Sequence, residues 1–174
     1  MEPASPPRGG SQRRWPRALL AAVPVLLGLR LVLPEPRDQV AWVPLAEAAR
    51  VSAERGRPIL YDFTAAWCGP CARLEREVFS DPRQAAFVNE RFVPVKVVDR
   101  AKEDGENPPP VASLEARLQV RGFPTLVVAG PDGPALNQLT GYRSHRWVVR
   151  FLEYAASGKA RAARPGDGRR SVTE

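Results

Sequence analysis

The two cysteines of this 174-residue chain lie together, in Trp67-Cys68-Gly69-Pro70-Cys71. An apolar run, 58–64, precedes them, and a helical pattern, 72–79, follows. That order predicts a strand-to-helix junction with Cys68 at the start of the helix. The first turn of a helix has N–H groups without intrahelical partners and the positive end of the macrodipole, and both favour an anion. A thiolate at that position forms more readily than the ordinary thiol pKa of roughly 8.5 allows. Cys71 lies one turn further on, close enough to close a small disulfide ring. With no third cysteine the pair is not part of a structural disulfide framework. It is either a redox couple or half of a metal site. Zinc usually takes four ligands, and the chain offers one histidine, His145, far along the sequence. We therefore expect no metal and no bound cofactor. A domain whose cysteines are incidental, acting as a scaffold or chaperone, is the third reading.

The net charge of +7 could suggest nucleic acid. Its distribution argues otherwise. Residues 1–34 carry five arginines against one acid, residues 158–174 carry five basic against two acidic groups, and 35–157 hold 16 of each. The part expected to fold is neutral, so no basic surface for nucleic acid is expected.

Residues 1–17 are rich in Pro, Gly, Ser and Arg and are expected to be a disordered basic N-terminus. Arg13, Arg14 and Arg17 lead into the apolar segment 18–33, interrupted by Arg30. A spanning helix needs about 20 apolar residues, so this one is short; Trp15 and Arg30 suit the two interfaces. An uncleaved anchor, a cleaved signal segment and a plain apolar arm are all compatible with it. We expect the anchor, since no small-x-small cleavage site follows Leu29. Positive residues ahead of the segment place the N-terminus inside and the remainder outside the cytoplasmic membrane. The alternative is a periplasmic protein after signal cleavage. Residues 34–39 read as a linker, 40–157 as the folded domain and 158–174 as a disordered basic tail.

Within the domain, 44–55 is a helix candidate stopped by Gly56, and 59–64 is a strand buried on both faces. Ser80-Asp-Pro82 breaks and re-caps the chain for a helix over 82–90. A strand over 92–98 follows, with Pro94 tolerable at a first or edge position. Residues 99–110 read as a surface insertion, and Ser113 as the cap of a short helix, 114–118. Residues 126–129 and 135–140 form a hairpin around Gly130-Pro-Asp-Gly133. Ser144 caps a final helix, with Trp147, Val148, Phe151 and Leu152 on one face.

Several of these features coincide. Asp62 lies six residues before Cys68; Val120-Arg-Gly122 leads into Phe123-Pro124-Thr125; Gly141 follows the last strand. Together with Trp-Cys-Gly-Pro-Cys they resemble the thioredoxins over about residues 40–157. The stretch 75–82 resembles the C-terminal domain of bacterial periplasmic thiol:disulfide interchange proteins. The resemblance implies an α/β thioredoxin fold, with a central mixed sheet flanked by helices. It also implies a cis Phe123–Pro124 bond against the cysteines and a lysine, Lys96, near Asp62. A carboxyl on a central strand should titrate high, and such an acid can exchange a proton with Cys71. The implied surface for substrate is Trp67, Gly69, Pro70, Phe123 and Pro124, with the Phe123 backbone pairing to an extended partner. As a plainer reading, Phe123 belongs to the core and Lys96 faces water.

The implied activity is thiol–disulfide exchange with protein substrates, through Cys68 and Cys71 with help from Asp62. Gly-Pro is the thioredoxin dipeptide and no histidine stands between the cysteines, so reduction is the expected direction; oxidation or isomerisation is the alternative. A reductase outside the membrane needs electrons. The chain has no nicotinamide or flavin motif, so a membrane electron donor is the expected partner.

Overall fold

The apolar run before the cysteines becomes the strand β1 (Ile59–Ala65), buried along nearly its whole length. The structure, a computed structural model, describes residues 38–131 and 133–158. The expected membrane segment 18–33, the basic N-terminus, residues 34–37 of the linker and the tail beyond Gly158 lie outside the described residues. Among the described residues, no helix is long and apolar enough to cross a membrane.

The other strands are β2 (Val93–Asp99), β3 (Thr125–Ala129) and β4 (Ala135–Thr140). Their order is β2-β1-β3-β4, with β1 and β2 parallel and the other pairs antiparallel. The helices are α1 (Ala48–Arg55), α2 (Gly69–Leu74), α3 (Pro82–Arg91), α4 (Ala101–Asp104), α5 (Pro109–Arg117) and α6 (His145–Ala156). A parallel pair needs a crossover; here α2, a π turn at Glu75–Phe79 and α3 supply it. This is the thioredoxin-fold arrangement of a mixed four-stranded sheet between helices.

Side chains alternate across a strand, and β1 packs on both faces. Ile59, Tyr61 and Phe63 join Val93, Val95, Val97 and Val127 beneath α1 and α5. Leu60 joins Leu126 and Val128 against Leu74, Val78, Phe79, Val88 and, from α6, Val148 and Leu152. Asp62 shares the face of Leu60, in register with Lys96 on β2 and Leu126 on β3. Burial on both faces explains why the strand lacks a polar alternation. Phe63 is fully buried there. Phe63→Ala is expected to cost about 3–5 kcal/mol through lost burial and a cavity, measured as a lower urea midpoint with an unchanged m value.

Capping follows the sequence signals. Asp81 accepts from the N–H groups of Arg83 and Gln84, and Ser144 accepts from Trp147 N. Gly56 closes α1 with φ +60°. β2 is an edge strand, which is why Pro94 is tolerated in it.

Three expectations need correction. First, α5 begins at Pro109 and not at Leu114; Ser113 is an exposed residue within it and not its cap. Prolines fit the first turn, where no N–H is needed inside the helix, so the Pro108-Pro109-Pro110 run starts this helix. Second, 99–110 is not a plain insertion. It contains α4 and is tied together: Asn107 Nδ2 donates to Asp99 and Glu115, and Asn107 Oδ1 accepts from Arg100 N at 2.6 Å. Third, the end of the expected linker belongs to the fold. Gln39 N donates to Phe79 O at 3.1 Å, and Asp38 reaches Trp42 and Lys96.

Candidate active site

β1 ends at Ala65, and the chain turns so that Cys68 N donates to Ala65 O at 3.1 Å. Cys68 is then the N-cap of α2, with extended backbone. Pro70 in the first turn gives up no helical hydrogen bond. Cys68 and Cys71 form a disulfide with their Cα atoms 5.2 Å apart. Cys71 N donates to Cys68 Sγ at 3.2 Å. A backbone donor and a helix start directed at one sulfur are what a thiolate there would need. Gly69 and Pro70 are exposed between the cysteines, and a Cβ on Gly69 would meet nothing within 4 Å, so the approach is open.

The loop before β3 forms the opposite wall. Phe123–Pro124 is cis. Phe123 packs on Ala65, Cys68 and Cys71 and also on the core beneath α5. Its ring stands edge-on to Trp67, centroids 5.9 Å apart. Trp67 is half-exposed and offers a flat apolar face beside the disulfide. Pro124 O accepts from Gly141 N at 2.8 Å, and Gly141 has φ +86°, which glycine adopts without strain. Thr125 Oγ1 donates to Gly122 O at 2.7 Å, closing the loop on itself.

Asp62, on β1 three residues before its end at Ala65, is buried at 4 % exposure, and among the described residues its Oδ1 has no hydrogen-bond partner. Burial pushes its carboxyl up to about 7; Lys96 opposes that rise, while Glu75 and Asp38 add to it. A carboxyl poised there can take or give a proton near neutral pH.

Lys96 lies on the Asp62 side of the sheet, which settles the register left open by the sequence. Its ammonium pairs with Asp38, approaches Glu75 at 3.6 Å and sits 4.8 Å from the Trp42 ring centroid. Asp38, Trp42 and Glu75 escaped the sequence reading as site neighbours, because they come from separate elements that only the fold brings together. Lys102 of α4 was missed for the same reason; its Nζ lies 4.9 Å from the centre of Trp67. His145 begins α6, half-buried. Among the described residues no three His, Cys, Asp or Glu side chains are grouped to hold a metal ion.

Residues 45–156 match the family described as thioredoxin-like domain. The chain belongs to the thioredoxin-like domain family. This thioredoxin-like chain is 33% identical over 90 residues to the thiol:disulfide interchange protein DsbD of Salmonella typhi, covering 51% of this chain and 15% of that protein. It is 30% identical over 95 residues to a protein disulfide-isomerase of Hordeum vulgare, covering 55% of this chain and 17% of that one. The chain thus matches only a small part of these curated relatives. A thioredoxin from Thermus thermophilus shares the fold, with TM-score 0.59 and 22% identity, covering 76% of this chain and 99% of that one. Within this fold the thioredoxin-like chain holds its Cys-X-X-Cys pair at disulfide distance.

Proposed function

We propose that this domain reduces protein disulfides on the outer side of the cytoplasmic membrane. The observation that carries the reading is the Cys68–Cys71 disulfide at the start of α2, and the buried carboxyl of Asp62 on the preceding strand supports it. In the reduced state, Cys68 thiolate attacks one sulfur of a substrate disulfide. A bond forms between Cys68 Sγ and that sulfur, and the other substrate sulfur leaves with the electron pair. Asp62 takes the proton of Cys71. The Cys71 thiolate then attacks Cys68 Sγ, the mixed disulfide breaks, and the second substrate sulfur leaves as a thiolate. Two electrons have passed from the dithiol to the substrate.

Trp67, Gly69, Pro70, Phe123 and Pro124 form the surface on which the substrate lies. The exposure of Trp67, the open approach at Gly69 and the seating of Phe123 on both cysteines support this assignment. The Gly-Pro dipeptide supports the reducing direction. Disulfide oxidants are strong because their reduced form is stabilised, and no histidine stands between these cysteines to add such stabilisation. The disulfide itself is the only redox group required. Residues 18–33 would anchor the domain in the membrane or export it, and a membrane donor would return electrons to Cys68 and Cys71.

Similarity to a protein disulfide-isomerase favours a second reading, as an isomerase or oxidase. Equilibration of the full chain against a dithiol buffer separates the two. A reductase is expected near or below about −250 mV, beside the −270 mV or so of thioredoxin. A potential between about −180 and −120 mV would assign disulfide donation or isomerisation instead.

A further inference from the structure

Lys96 is the cation that acts on Asp62, and it is held elsewhere. The two residues are register partners on neighbouring strands and share one face of the sheet. Left to itself, a lysine beside a buried carboxylate would pair with it, and an opposite charge at close range lowers a carboxyl pKa by about 1–3 units. A carboxylate committed to such a pair is a poor acceptor for a thiol proton. Yet the ammonium of Lys96 is hydrogen-bonded to Asp38 Oδ2, with Glu75 a looser ion-pair partner at 3.6 Å.

Asp38 is itself fixed. Its Oδ2 accepts from Trp42 Nε1 at 2.5 Å and its Oδ1 from Val40 N at 3.3 Å, while Asp38 N donates to Ser80 Oγ at 3.4 Å. The Trp42 ring lies beneath the same ammonium and packs edge-on to Phe79, centroids 5.2 Å apart. The pair is mostly shielded, with side chains 24% and 15% exposed for Lys96 and Asp38. Shielding from water makes the attraction stronger than at an open surface.

We propose that Asp38 is a positioning residue for the exchange chemistry: it draws the Lys96 ammonium off Asp62 and leaves that carboxyl able to accept the proton of Cys71. This rests on the role given to Asp62 above. The charged groups acting on Asp62 are Lys96 from β2, Glu75 from the π turn and Asp38 from the segment ahead of the first helical turn. Removing the charge of Asp38 therefore acts in one direction, both by freeing Lys96 and by removing a nearby anion.

The test follows the Asp62 carboxyl by ¹³C NMR through a pH titration of the oxidised full chain. Asp38→Asn removes the charge and keeps one oxygen, which can still accept from Trp42 or from Val40. Its Asp62 midpoint is expected to fall by about one unit, the low end for an approaching cation. Asp38→Glu is expected to return it towards the wild-type value. In a Lys96→Met background the Asp38→Asn fall should shrink to the part due to the lost anion, because no ammonium remains to be released. An unchanged midpoint in Asp38→Asn would overturn the proposal, as would an equal fall in the Lys96→Met background. The titration involves no substrate and no turnover. A shift found in a chain whose potential proves oxidising would keep the positioning role and discard the reducing direction alone.

Discussion

Cys71→Ser is expected to stop turnover while preserving the first half of the exchange. Cys68 keeps its place at the N-cap of α2, so its thiolate still attacks a substrate disulfide. The mixed disulfide then has no internal thiolate to resolve it and accumulates as a covalent adduct, visible by mass spectrometry and released by a small thiol. Cys68→Ser is expected to form no adduct. Both variants should lose about 10³-fold or more in the reduction of a model disulfide protein, since groups that act as one unit are lost together. An adduct held by Cys71 in the Cys68→Ser protein would reverse the roles assigned to the two sulfurs.

The second large effect concerns stability. Asp62 titrates at about 7 in the folded chain, against an ordinary 3.8, because burial penalises its charged form. Between pH 4 and 7 the unfolded chain has released this proton and the folded chain has kept it, so stability falls as pH rises. Above pH 7 both states are ionised there and the full penalty applies. A shift of about three units corresponds to roughly 4 kcal/mol. Asp62→Asn removes the charge and keeps the shape. It should be more stable than wild type by about 2–4 kcal/mol at pH 8, the lower figure reflecting a buried amide that still lacks partners. At pH 4 the difference should disappear. Urea unfolding at the two pH values measures it, and a gain equal at both would mean the carboxyl is not the source. The same variant should slow resolution by Cys71 about 10²-fold, the lower range for a lost general base. Stabilisation together with slowed chemistry would mark Asp62 as a residue kept for function against its cost to the fold.

Much of this was written locally. The cysteine turn, the caps Asp81 and Ser144 and the β3–β4 hairpin are set by neighbouring residues, so they are legible in one pass along the chain. Asp62 was legible too, because a carboxyl within an apolar strand is anomalous and its spacing from Cys68 is local. The start of α5 was misread because a run of prolines suggests an extended segment, and only the helix that follows reveals them as its first turn. The end of the linker was misread because Asp38 and Gln39 have no apolar pattern of their own; distant partners fix them, Lys96 and Phe79.

By itself the sequence determined the redox pair, the strand and helix that present it, and the acid placed before it. These depend on spacing and on what each residue does within one turn or one strand. Only the tertiary structure decided which face of β2 carries Lys96, where its ammonium goes, and that Lys102 of α4 stands over Trp67. Those contacts join elements far apart in the chain. Their register and reach follow from how the sheet and its two helical layers close, and no local pattern encodes that.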